Sequence, residues 1–228
     1  MSSHGADICV IVPSYNSSST ILRAVHSAMA QPEAAEILVI DDASQDGAAD
    51  LVRGEFAGCS RVRLIRLAEN GGPSAARNVG IASSSAPWIA ILDADDYFLP
   101  GRLALLRAQA DDWDFVADDL ARMRGPEDAP KTWLIGDAAP LPSRLGFSQF
   151  VRANISRRGA PRKEFGFLKP LMRRSFLEAH DLAYDERLRL GEDFILYARA
   201  LALGARFKLV ESCGYLIIER DDSLSVGH

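Results

Sequence analysis

Residues 8–12, ICVIV, form an unbroken apolar run bounded by Pro13, the pattern of a parallel strand covered on both faces. Positions 17–20 are all hydroxyl-bearing N-cap formers, and ILRAVHSAMAQ then sets Ile21, Leu22, Val25 and Met29 at helical spacing. EILVIDD restarts the cycle, with helix-start signals at Ser44 and Asp46 before AADLVRGEF. RVRLIRL reads as a third strand, NGGPSAARNVGIASS as a glycine-rich turn opening a helix at Pro73 and Ser74, and WIAILD as a fourth strand. Strands and helices alternating in this order predict an α/β fold, a mixed but mostly parallel sheet flanked by helices, with right-handed crossovers.

The rhythm loosens after Arg102. WDFVADD predicts a strand, FSQFVRANI a short helix, RRSFLEAH a helix, GEDFILYARALALG an amphipathic helix closed by Gly204, and ARFKLVESCGYLIIER a pair of strands. Residues 124–146 are rich in Gly and Pro and predict an irregular segment; residues 124–163 are expected to be the most mobile part. There is no internal repeat, and residues 1–228 read as a single domain with halves at 7–100 and 101–228.

Ligands of open α/β sheets sit outside the carboxyl ends of the strands. Four such ends carry polar clusters here: Ser14, Tyr15 and Asn16; Asp41 and Asp42; residues 70–77; and Asp93, Asp95 and Asp96. The last cluster poses a question, because in IAILDADDYFLP an apolar core run leads straight into three carboxylates. Like charges so placed must find a positive partner or shift upward in pKa, and the expectation is that the protein alone does not supply that partner.

Composition narrows the function classes. The 228 residues are 48% hydrophobic and 25% charged, an ordinary balance that suffices for one core. A net charge of −5 offers no basic footprint, so nucleic acid is not an expected partner. No apolar stretch reaches the roughly 20 residues of a membrane span, and MSSHGAD lacks the regions of a signal peptide, so a cytoplasmic, soluble chain is expected. Cys9, Cys59 and Cys213 are widely spaced and read as reduced packing residues, and His180 reads as structural.

Each polar cluster has a chemical and a plain reading. Asp93 and Asp95, two apart, suit a hard cation such as Mg2+ or Mn2+ that also binds phosphate oxygens; alone they read first as a solvated turn, with Asp96 capping a helix. Asp41 and Asp42 suit hydroxyls or ring N–H groups, or form a capped turn. NGGPSAARN resembles an anion-binding nest with Arg77 one turn in, yet matches neither a Walker loop nor G-x-G-x-x-G. Glu192 and Asp193 complement a helix dipole, or supply a base outside the cation cluster.

Taken in order, VIVPSYN, ILVIDDASQDG, NGGPSAARNVGI, ILDADDYFLPGRL and LGEDFILYARAL resemble the family 2 glycosyltransferases of the GT-A (Rossmann-like) fold. From GFLKPLMRRSFLEAHDLAYDERLRLGEDF through GYLIIERDDSLS, the chain is similar to the bacterial exopolysaccharide branch of the succinoglycan type. The resemblance implies an inverting, metal-dependent transfer of one sugar from a nucleotide-diphosphate donor, UDP-glucose or another UDP-hexose, to a glycan or lipid-linked acceptor. It makes residues 7–100 the donor half and residues 101–228 the acceptor half. It places Pro13, Tyr15, Asn16 and Asn70 around the nucleoside, Asp42 on the base, and Arg77 near the nucleotide. Asp93 then meets ribose or metal, Asp95 ligates Mg2+ or Mn2+, and Asp193 is the general base with Glu192 beside it.

The Gln-x-x-Arg-Trp block of processive relatives is missing, which favours single-sugar addition. Arg157, Arg158, Arg162 and Lys163 suit peripheral contact with an anionic membrane face, or are a solvated loop. A nucleotidyltransferase and a noncatalytic nucleotide-sugar-binding protein are the rival readings.

Overall fold

The computed structural model describes residues 5–123, 131–133, 143–156 and 164–218. The four predicted strands are β1 (Ile8–Ser14), β2 (Ala34–Asp41), β3 (Val62–Arg66) and β4 (Trp88–Ile91), parallel in the order β3-β2-β1-β4. Their apolar runs lie in the core, and Ile8, Cys9, Val10, Ile11 and Val12 are wholly buried. Pro13 does not bound β1 but lies inside it, opposite Ile40. The carbonyl of Ile11 accepts from Leu92 on the β4 side, so Pro13, two residues on, faces the same way, past the end of β4. Its missing N–H therefore costs no ladder bond.

Helices α1 (Ile21–Met29), α2 (Ala48–Glu55) and α3 (Pro73–Ala82) form the predicted crossovers. Helix α3 lies very close to β1: a Cβ on Gly80 would sit 2.4 Å from Cγ2 of Ile11. That approach brings the first turn of α3, with Arg77, down onto the sheet rim.

The second half adds β5 (Tyr97–Phe98), α4 (Arg102–Ala108), β6 (Phe115–Met123), β7 (Lys131–Trp133), β8 (Arg144–Leu145) and α5 (Phe147–Ala153). A 3-10 turn at Phe165–Phe167, then β9 (Leu171–Arg173), α6 (Arg174–Ala179), α7 (Glu192–Ala202) and β10 (Phe207–Ile218) complete the order. The sheet is continuous, β3-β2-β1-β4-β9-β6-β10-β5, with β7 on β6 and β8 on β10. Strand β9 escapes sequence reading because three residues show no period. It joins the halves by pairing antiparallel with both β4 and β6.

The expected pair of strands at the end of the chain is one strand of 12 residues. Its register against β6 slips between Leu209 and Cys213 and again before Tyr215, so ESCG bulges the strand instead of reversing it. The bulge is held from below. Arg102, on α4, donates from Nη2 to Asp118 Oδ1 at 2.8 Å and to the Lys169 carbonyl at 2.6 Å, while Asp118 Oδ2 accepts from the Gly214 N–H at 2.6 Å.

Strands β7 and β8 show that parts of the segment expected to be irregular belong to the sheet. The rest of it lies outside the described residues, as do Arg157, Arg158, Arg162 and Lys163. All three cysteines are unpaired, and burial pushes the Cys9 thiol up to about 12. Among the described residues no helix is long and apolar enough to cross a membrane.

The α3–β1 contact is testable. Gly80→Val should lower stability by about 1–3 kcal/mol through overpacking against Ile11, read as a shift in the denaturation midpoint. An unchanged midpoint would show that α3 can move off the sheet at no cost.

Candidate active site

Four chain segments bring charged side chains to one place on the rim. Helix α3 supplies Arg77, the end of β4 supplies Asp93, the turn before β9 supplies Lys169, and the first turn of α7 supplies Glu192 and Asp193. Arg77 donates from Nη1 to Glu192 Oε1 at 2.5 Å and from Nη2 to Asp93 Oδ1 at 2.9 Å. Lys169 Nζ lies 2.9 Å from Asp93 Oδ2 and 2.7 Å from Asp193 Oδ2. The result is a chain of alternating sign, Glu192–Arg77–Asp93–Lys169–Asp193, in which Asp93 is half-buried and the other four are buried.

Burial by itself would raise the Asp93 carboxyl and lower the two cations. Lys169 and Arg77 outweigh it and hold Asp93 well below the ordinary carboxylate range. Against the same burial, Asp193 and Asp93 raise both Lys169 and Arg77, so both stay cationic at neutral pH. Two basic side chains thus stand among three acidic ones.

The three carboxylates of IAILDADDYFLP therefore differ. Asp93 is neutralised by two protein cations, contrary to the expectation that the protein alone would not suffice. Asp96 is neither a solvated turn nor a helix cap: it is buried, and accepts from the Tyr215 hydroxyl at 2.9 Å and the Ile218 N–H at 3.1 Å. Burial first, then the charges of Asp95 and Asp93, push its pKa well above the usual value. The Tyr215 hydroxyl in turn accepts from the Asp93 N–H at 3.0 Å, which ties β10 to the end of β4. Asp95 stays half-buried at the rim, its carbonyl accepting from Arg23 at 2.7 Å.

The residues expected around the nucleoside form a second group at the ends of β1 and β2. Asp42 accepts from the Gly71 and Gly72 N–H groups, one on each oxygen, both at 2.8 Å. The glycine turn is thus an anion nest whose anion is Asp42 itself. Asn70 donates to the Asp42 carbonyl at 3.3 Å and accepts from Arg189 at 3.1 Å. Asn16 adopts a φ of +48° and braces the neighbouring loop: its N–H donates to Ser44 Oγ, and its side-chain oxygen accepts from the Gln45 N–H. Tyr15, beside it, is 53% exposed, and Pro13 is half-buried behind it.

A loop at 184–189, which leads into α7, is latched to α3. Asn78 of α3 receives the Tyr184 N–H and donates to the Tyr184 carbonyl, both at 2.9 Å, and Ser74 donates to the Leu188 carbonyl at 3.1 Å. The ring of Tyr184 lies under the Arg77 guanidinium, 5.3 Å from ring centroid to Cζ. Burial and the Asp193 charge raise the Tyr184 hydroxyl well above its usual pKa. Lys169, Tyr184 and Tyr215 are missing from the sequence reading. The only available signal for Lys169 was a lone lysine in an apolar stretch, FLKPLM, where a buried charge needs a partner. His180 is exposed, with its ring tilted by 46° against that of Phe176 at 4.4 Å between centroids.

Among the described residues no group of three or more His, Cys, Asp or Glu is arranged to hold a metal. The rim still fits a hard cation that brings its own phosphate ligands, because such ions take as few as one protein carboxylate. Each oxygen of Asp93 already meets a protein cation.

Comparison with known proteins agrees with this placement of the fold. A family model described as Glycosyl transferase family 2 matches residues 9–185. The chain is 52% identical over 222 residues to succinoglycan biosynthesis protein ExoU of Rhizobium meliloti (strain 1021), covering 97% of this chain and 65% of that protein. It is 39% identical to succinoglycan biosynthesis protein ExoO of the same strain, covering 96% and 62%. It thus spans under two thirds of the length of these relatives. Among solved structures, S. aureus TarS residues 1–349 in complex with UDP-GlcNAc superposes with a TM-score of 0.74 at 21% identity, covering 97% of this chain and 61% of that one. The fold is of the GT-A type, and the chain belongs to glycosyl transferase family 2.

Proposed function

We propose that the chain transfers a single sugar, with inversion, from a UDP-hexose to a hydroxyl of a glycan or lipid-linked acceptor in exopolysaccharide synthesis. The observation that carries this is the shared ammonium of Lys169: Asp93 on the donor side and Asp193 on the helix opposite lie 2.9 and 2.7 Å from one nitrogen. A donor anchored at Asp93 therefore presents its sugar to Asp193. The UDP-GlcNAc complex of TarS supports a nucleotide-sugar donor, and the likeness to ExoU and ExoO supports the exopolysaccharide pathway class.

In this reading Asp42, Asn70, Asn16, Pro13 and Tyr15 frame the nucleoside, with the Tyr15 ring free to lie on the base. Arg77 holds Asp93 and Glu192 in register. Asp193 takes the proton of the acceptor hydroxyl. The acceptor oxygen then bonds to the anomeric carbon as the bond to the diphosphate oxygen breaks, and the nucleoside diphosphate departs. A base on the face opposite the leaving group makes the attack a backside one, which inverts the anomeric centre. Mg2+ or Mn2+, ligated by Asp95, supplies charge stabilisation for the leaving diphosphate when bound.

UDP titrated calorimetrically should bind more tightly with Mn2+ than without, and Asp95→Asn should abolish the difference; equal affinity in wild type would remove the metal role. Asp193→Asn should leave UDP affinity within about 3-fold and lower turnover by at least about 100-fold, the lower end of general-base effects. Retained turnover would remove Asp193 as the base. A panel of nucleotide sugars, scored by nucleoside diphosphate release, identifies the donor, and release from none of them would overturn the transferase reading.

A further inference from the structure

Lys169 is built into the site from both sides. Its carbonyl accepts from Arg102, which is forked onto Asp118; the carbonyl before it, of Leu168, accepts from the Tyr197 hydroxyl at 2.9 Å; and Pro170 follows it. A lysine loses rotamer entropy when fixed, and its ammonium is costly to desolvate. A surface ion pair would not require such a setting.

The two oxygens of Asp193 are unequal as a result. Oδ2 is held by the Lys169 ammonium at 2.7 Å, whereas the Tyr197 hydroxyl stands 3.5 Å from Oδ1, too long for a strong bond, and the buried Tyr184 hydroxyl is a further neighbour of this carboxylate. Among the described residues one oxygen is thus held by a cation, and the other meets only neutral hydroxyls at longer range. The same ammonium reaches Asp93, so the distance from donor anchor to base is set by one side chain.

We propose that Lys169 is a positioning residue for transfer. It holds Oδ2 of Asp193, presents Oδ1 as the oxygen that receives the acceptor proton, and sets the spacing between that oxygen and the donor anchored at Asp93. This rests on the reading of Asp193 as the base and names the side chain that makes the base competent. It also assigns the turn before β9 a part in the reaction beyond its part in the sheet.

The test uses the whole chain, with UDP release from UDP-glucose, or from the panel sugar that the wild type uses, as the readout. Lys169→Met should lower kcat by at least about 100-fold, the scale of a misplacement near 1 Å, with UDP affinity within about 3-fold of wild type. Lys169→Ala should recover at least about 10-fold in kcat on addition of ethylammonium, which restores the lost charge, and gain nothing from tetramethylammonium, which cannot donate a hydrogen bond. In an Asp193→Asn background Lys169→Met should cause no further loss, because the two act as a unit. If the Met variant does not fold, Lys169→Leu, which likewise lacks donor and charge, takes its place under the same criteria. A folded Met or Leu variant with kcat within about 3-fold of wild type overturns the proposal, and so does an Ala variant with lowered kcat that ethylammonium leaves unchanged. Full turnover by Asp193→Asn would instead overturn the base reading beneath it.

Discussion

The structure depends on a set of charges that are tolerable only together. Glu192, Arg77, Asp93, Lys169 and Asp193 alternate in sign at contact distance, and four of the five are buried. Any one of them, left unpaired in that environment, would cost several kcal/mol, and deleting one partner of a buried pair typically costs about 3–5 kcal/mol. Because the members come from residues 77, 93, 169 and 192–193, the set closes only when both halves of the chain are docked. The ion network and the insertion of β9 between β4 and β6 are two views of one event. Lys169 lies two residues before β9, so pairing that strand delivers the ammonium to the rim.

Around this set, further polar side chains absorb the backbone irregularity that the geometry requires. Arg102 and Asp118 are fully buried, and together they receive the Lys169 carbonyl and the Gly214 N–H, two groups that a bulged strand and a proline-bounded turn would otherwise leave unsatisfied. Ser74 and Asn78 do the same for the 184–189 loop, which would carry α7 away from α3 without them. Asp42 fills the nest at 71–72. In each case a side chain from one half satisfies backbone from a distant segment, which is how the rim is held without long regular elements.

That division explains what was legible in the sequence. Strands β1 to β4 and helices α1 to α3 announce themselves by apolar period and cap chemistry, because each is specified locally. Helix α7 and its acidic first turn are equally plain. The positions of Asp42 and Asp93 follow from the rule that strand ends bear ligands, whereas Asp193 stands out in the acidic first turn of α7. Their partners do not all follow, since one of the two cations on Asp93, Lys169, stands 76 positions away in a three-residue strand's approach, where no period exists to detect. The continuation of β10 through ESCG was hidden for a related reason. A bulge and a hairpin begin with the same turn-forming residues, and only the Asp118 carboxylate waiting beneath Gly214 decides between them.

The stretch IAILDADDYFLP shows how far environment outweighs residue type. Asp93, Asp95 and Asp96 are the same side chain within four positions, yet one is held ionised by two cations, one stays at the rim, and one is buried against a tyrosine with its carboxyl pushed upward. The upward shift of Asp96 comes from its burial and then from its two neighbours, so the buried member of the cluster is the one on which their repulsion falls. Its partners, Tyr215 and Ile218, belong to β10 just beyond the bulge that Gly214 and Asp118 create. The bend in the last strand thus brings hydrogen-bond partners to the end of the fourth, and the hydroxyl of Tyr215, bonded to both the Asp93 N–H and the Asp96 carboxyl, is the physical link between them.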